Sequence, residues 1–309
     1  MIKTMNKKIL SPKSWLTNLL AGLLLAGLFT TSAQAADTVS VSNYPLFLLS
    51  EAVTKGAPSA KKLLNPGEVG HHGSISPKDI KTVQDSTFVV WFGAPLENNL
   101  ASTLDSAPNA ISLFAFDAFK RYPMRDVAGE PLADTLDTHI WLDPENAKAI
   151  TRALAVIHSH ADPKNKTLYQ ANAQKFAQRM DRAVASQKRS GQPVSAYWAY
   201  HDAYQYLEPS LNLQLAGSLT ADHHLAPKAS QIRQLSERRP NKRMCLVTQS
   251  KPAKGLITKL QPVKTTIQLE DMSASDDFVT GWSQMAQQIA KCIDSVSYTH
   301  LTLPTIYSV

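Results

Sequence analysis

Phe88-Val89-Val90-Trp91-Phe92-Gly93 carries the clearest signal of the architecture. Five apolar residues in a row, closed by glycine, show neither helical spacing nor alternation, so both faces of an extended segment call for burial. A strand inside a parallel sheet reads this way, because helices cover it on both sides. Outward from that run, residues 76–84 open with Pro77 at an early helical position, and residues 96–104 resume helical spacing. Residues 39–41 and 110–116 are apolar again, the first leading into a helical pattern over 46–54. Strands alternating with helices predict βαβ units and a parallel sheet.

The second half repeats the scheme. Residues 194–200, 213–219, 244–248 and 265–269 read as strands, 228–238 and 278–292 as helices. Between the halves, residues 164–189 contain neither Gly nor Pro, and Leu168, Ala171, Phe176, Met180 and Val184 recur at helical intervals. A helix of that length would span about 39 Å at a rise of about 1.5 Å per residue. The expectation is an α/β protein of two lobes, 36–162 and 191–294, each a parallel sheet flanked by helices, joined by one long helix over 163–190.

The ends of the chain read differently. Lys3, Lys7, Lys8 and Lys13 precede an apolar run over 19–29, and Ala33-Gln34-Ala35 offers the small residues a signal peptidase needs. Residues 1–35 are therefore expected to be a secretory signal peptide, since the apolar run is about half the ~20 residues of a membrane span. No Cys stands beside the cut to carry a lipid, and no later segment is apolar enough to insert. Of the formal charge of +7, four units belong to that leader, leaving +3. The basic balance is thus no argument for nucleic acid, and no basic patch is interleaved with aromatics. Residues 295–309 lose charge and helical period together and are read as a non-native or disordered tail.

Two cysteines, Cys245 and Cys292, remain in an exported chain. Pairing is favoured outside the reducing cytosol, two separate buried thiols being the alternative.

Nine histidines supply the chemistry. His158 and His160 lie at a predicted helix end, where a solvated cation meets the helix dipole favourably, and His300 is in the tail. His71, His139 and His201 stand where α/β sites are built. His71 follows Asn65-Pro66-Gly67, six residues before Pro77; His139 lies in Thr138-His139-Ile140-Trp141-Leu142-Asp143-Pro144, read as a short strand entering a helix; His201 follows the strand at 194–200. Leu269-Glu270-Asp271 puts a carboxylate at a further strand end. Open α/β sheets bind ligands beyond the carboxyl ends of their strands. Imidazoles with one carboxylate suit Zn²⁺, whereas calcium and magnesium prefer oxygen alone.

These segments are recognisable. Gly70-His71-His72-Gly73-Ser74-Ile75-Ser76-Pro77-Lys78-Asp79, Val89-Val90-Trp91-Phe92-Gly93, His139-Ile140-Trp141-Leu142-Asp143-Pro144 and Tyr200-His201-Asp202-Ala203-Tyr204-Gln205-Tyr206 resemble the motifs of the zinc-binding receptors of bacterial zinc importers, the ZnuA-type members of the metal-binding ABC solute-receptor family. The likeness covers about residues 37–294. It implies a rigid linking helix, Zn²⁺ held between the lobes by His71, His139 and His201, a disulfide between Cys245 and Cys292, a periplasmic location and an inner-membrane ABC permease as partner. A monomer is expected. The manganese relatives carry a carboxylate where His201 stands, so the imidazole favours zinc over manganese or another divalent metal.

The chain departs from that pattern twice. Residues 120–138 contain no His, where the family commonly carries a His-rich loop. The usual Leu-Asp-Pro of the acidic ligand is Leu269-Glu270-Asp271, which leaves Glu270, Asp271 or water as the fourth ligand, Glu270 by register. His72, His223 and His224 are alternative or peripheral metal contacts, and Asp202 is expected to support His201 from behind. The competing class is a zinc hydrolase, with Asp202 and Tyr204 as helpers to a metal-activated water.

Overall fold

The computed structural model describes residues 38–68, 75–188, 193–220 and 226–297. Two four-stranded sheets, parallel throughout, organise them. The first contains β1 (Val39–Val41), β2 (Lys61–Lys62), β3 (Phe88–Trp91) and β4 (Ala110–Ser112) in the order β2-β1-β3-β4. The second contains β5 (Ser195–His201), β6 (Leu213–Thr220), β7 (Met244–Thr248) and β8 (Val263–Ile267) in the order β6-β5-β7-β8. Helices α1 (Tyr44–Thr54), α2 (Pro77–Asp85) and α3 (Asn98–Leu104) serve the first sheet. Helices α4 (Pro144–Ala161) and α5 (Lys166–Gln187) follow, then α6 (Glu208–Leu211), α7 (Ala229–Glu237), α8 (Lys254–Lys259) and α9 (Phe278–Ser297). No helix among the described residues is long and apolar enough to cross a membrane.

Local chemistry explains the helix starts. Asn43 caps α1 by accepting from Leu46 N, and Pro45 sits at an early position. Ser76 and Asp79 form a reciprocal capping box ahead of α2. Asp143 accepts from Glu145 N and Asn146 N at the start of α4. Each cap satisfies amide groups that the first helical turn leaves open.

The apolar runs are continuous because each strand feeds two cores. Val90 and Phe92 face a core shared by both sheets, while Val89 and Trp91 face a smaller one with Leu100 and Leu104. Likewise Tyr197 and Ala199 point to the shared core, whereas Trp198 packs with Leu235, Leu246 and Leu260. The shared core runs from Val39 through Trp141, Phe176 and Tyr204 to Trp282. The lobes are therefore built on one hydrophobic interior. Bonds cross between them as well: Trp282 Nε1 donates to Leu142 O at 3.0 Å, and Tyr44 Oη to Ser275 O at 2.8 Å.

The long helix expected between the halves is α5, of 22 residues, entered through a 3₁₀ turn over Pro163–Asn165. It packs along α4, so a helical pair occupies the junction. Cys245 on β7 is bonded to Cys292 on α9, tying the closing helix to its sheet.

Several expectations need correction. Residues 138–142 form no strand: His139 N and Nδ1 both bond Asp137, which curls the backbone into a 3₁₀ turn, Ile140–Leu142, ahead of the Asp143 cap. Strand β8 begins two residues before 265, since an edge strand with half-exposed residues carries little apolar pattern. Strand β2 is two lysines paired through their backbone, which leaves no apolar signal to read. Helix α9 extends to Ser297, burying Val296, into the stretch read as a tail. His158 is not solvated; it is 4% exposed, with Nε2 at 2.8 Å from Ser50 Oγ. The expected leader, His71, His72, His223, His224 and residues 298–309 lie outside the described residues.

Candidate metal centre

Three of the expected ligands meet. His139, His201 and Glu270 are all buried, and one donor atom of each lies within 4.8 Å of the others. His201 is the last residue of β5, so its place is set by the strand end. His139 is presented by the turn leading into α4. Glu270 lies three residues beyond β8, and its backbone carbonyl accepts from Trp141 Nε1 at 2.8 Å. The residue two positions after one candidate ligand thereby holds the backbone of another. His201 Nε2 and Glu270 Oε1 are 3.8 Å apart. Donors on a tetrahedral zinc with bonds of about 2.0–2.1 Å stand about 3.4 Å apart, so a modest contraction of this cluster would accommodate the ion.

The orientation of His139 is determined from behind. Its Nδ1 lies 2.8 Å from Asp137 Oδ1, the same oxygen that accepts from its backbone N at 3.0 Å. A carboxylate at Nδ1 keeps the proton there and leaves Nε2 as the lone-pair donor. Burial by itself lowers the pKa of His139, but the hydrogen bond and charge of Asp137, with Glu270 and Asp202, outweigh it and hold the imidazole above its ordinary value. Burial pushes Glu270 above the usual carboxylate range, partly opposed by His139. A divalent cation would balance the buried carboxylates in place of the protons that His139 and Glu270 otherwise hold.

The neighbouring candidates are bonded as follows. Asp271 accepts from Gly67 N at 2.8 Å and from Ser273 N at 2.9 Å, so its carboxylate serves backbone amides. The Gly67 bond ties residue 67 to the residue that follows Glu270. Asp202 accepts from Arg125 Nε and Nη2, both at 2.7 Å. Tyr204 Oη donates to Gln268 O at 2.7 Å and accepts from Gln249 Nε2 at 2.9 Å.

Asp137 and Arg125 went unnoticed in the sequence. For Asp137 the signal was the two-residue spacing to His139, which lets one carboxylate reach both nitrogens. Arg125 carries no sequence signal at all, because its partners are 77 and 83 positions away.

The family described as "Zinc-uptake complex component A periplasmic" matches residues 39–295. The high-affinity zinc uptake system protein ZnuA of Haemophilus ducreyi is 27% identical over 298 residues, covering 87% of this chain and 95% of the relative. A crystal structure of ZnuA superposes with a TM-score of 0.68 at 18% identity, covering 84% of this chain and 99% of that one. Zn(II)-bound AdcA from Streptococcus pneumoniae gives a TM-score of 0.67 at 17% identity over 84% of this chain, which spans 58% of AdcA's length. The structural likenesses establish the fold. The family match runs from β1 into α9, and on it the chain belongs to the periplasmic zinc-uptake complex component A family.

Proposed function

We propose that this chain is a periplasmic receptor that captures Zn²⁺ and hands it to an inner-membrane ABC zinc permease, acting as a monomer. The observation that carries the reading is the buried meeting of His139, His201 and Glu270. Two imidazoles and a carboxylate suit zinc's acceptance of nitrogen and oxygen donors in a tetrahedron. His71 is the fourth donor in this reading, consistent with the Gly67–Asp271 bond that starts its segment beside Glu270. His72, His223 and His224 are left as peripheral contacts for incoming metal.

The commitments of Asp202 to Arg125 and of Tyr204 to Gln268 favour a receptor over a hydrolase, because neither is free to assist a metal-bound water. Nitrogen at position 201 favours zinc over manganese, which is better suited by carboxylate and carbonyl oxygen. Chelator competition is the test. One Zn²⁺ should bind per chain with Mn²⁺ far weaker, and His71→Ala should weaken zinc while His72→Ala largely preserves it. Equal affinity for Zn²⁺ and Mn²⁺ would overturn the zinc assignment.

A further inference from the structure

Residues 116–138 leave the first sheet after the 3₁₀ turn Leu113–Ala115 and return at His139, but between those points they are bonded to the second lobe. Arg125 is the centre of that attachment. It is 9% exposed and forks onto two half-buried carboxylates: Nε and Nη2 to Asp202, Nη1 and Nη2 to Glu208 at 3.0 and 2.7 Å. Tyr197 Oη donates to the same Glu208 at 2.8 Å. A fork of this kind has a defined geometry that a point charge on a flexible stem lacks.

Three further ties flank it. Ser218 N donates to Val127 O at 3.0 Å, joining the segment to the edge strand β6. That approach requires Gly217, whose φ is +140°, because a Cβ there would stand 2.8 Å from Val127 O. Tyr206 Oη accepts from Tyr122 N and donates to Asp137 O, both at 2.9 Å, with its ring against Tyr122. The Gln205 amide, with its nitrogen toward Asp137, donates to Asp137 Oδ2 at 2.8 Å and Pro123 O at 3.1 Å.

The direction of these ties carries the inference. Asp202, Gln205, Tyr206 and Glu208 all follow His201 within seven residues. Through Gln205 and Tyr206 this same short piece of chain holds Asp137, and Asp137 holds His139. We infer that Arg125 and Tyr206 are positioning residues for zinc: residues 120–138 strap the lobes together at the site, so that the segment after His201 places His139 as well. This rests on the zinc-receptor reading and adds to it that the spacing of two ligands from different lobes is preset before the ion arrives.

The test uses the full chain with Tyr206→Phe, Arg125→Lys and Arg125→Met, each read for zinc affinity, zinc dissociation rate, the visible spectrum of the Co²⁺-substituted protein and the melting temperature of the metal-free protein. Groups that orient metal ligands typically contribute 10–100-fold in affinity. Tyr206→Phe keeps the ring on Tyr122, so it should fold, yet lose about tenfold in affinity, release zinc faster and change the Co²⁺ bands. Arg125→Met should lose more than Arg125→Lys, which keeps the charge without the fork. Should Arg125→Met not fold, Tyr206→Phe decides the matter alone. Lowered melting temperatures with unaltered affinity and Co²⁺ spectrum would make the strap a stability element and overturn the inference. Absence of zinc binding by the unaltered protein would overturn the receptor reading itself.

Discussion

His139 and His201 reach one site with different supports, and those supports predict how each responds to change. His139 depends on a single carboxylate that fixes both its tautomer and its backbone. Asp137→Asn keeps the size and the backbone acceptor but offers Nδ1–H a neutral oxygen. Zinc affinity should fall about 10–100-fold with little change in fold, measured by chelator competition beside circular dichroism. The site should also be acid-sensitive. Zinc requires neutral imidazole and ionised carboxylate, so every proton displaced adds about a tenfold affinity loss per pH unit. His139 and Glu270 both hold their protons above their ordinary values. The loss should therefore begin above the pH of about 6.5 at which free histidine titrates. Affinity measured from pH 7.5 to 5 checks this, and a flat profile would remove the imidazole ligands.

Helix α4 ends near His158, a group the helix-dipole argument would have charged and that burial instead holds neutral, its pKa lowered to about 4. Ser50 Oγ and the Tyr169 ring enclose it. The sign follows directly. The unfolded chain takes up this proton near pH 6.5 and the folded one only near 4, so stability is lost as pH falls through that window and levels off below it. The difference corresponds to at most about 3 kcal/mol. Denaturant unfolding of the metal-free protein between pH 7 and 4 should show this loss, and His158→Gln should reduce it. An unchanged acid profile in the variant would place the sensitivity elsewhere.

The described residues are held by a large core shared between the lobes, two smaller ones, and long-range ties, some of which chemistry can remove. The Cys245–Cys292 bond is the clearest, closing a separation of 47 residues. Chain entropy assigns it about 4 kcal/mol. Reduction should lower the melting temperature while zinc binding persists, because the cluster of donor atoms consists of His139, His201 and Glu270 and the cysteines are bonded to each other. Calorimetry with and without reductant checks the first part, and competition assays the second. Bound zinc should stabilise either form by mass action, by about 2.7 kcal/mol at a hundredfold excess over the dissociation constant, and so raise its melting temperature.

The α/β class, the parallel sheets, most strand and helix positions, and the candidacy of His139, His201 and Glu270 were legible in the sequence, because their causes are local. Burial on both faces forces continuous apolar runs such as 88–92, and caps such as Asn43, Ser76 and Asp143 act within three residues. What stood apart was everything that depends on partners distant along the chain. Two lysines form β2 because a neighbouring backbone accepts them, and His158 loses its charge because Ser50 and Tyr169 close over it. Asp202 answers to Arg125 because the strap crosses from one lobe to the other. The residue types determined which metal chemistry is available. Which of those residues meet depends on the folded chain, since a donor's neighbours across the interior leave no periodicity to read.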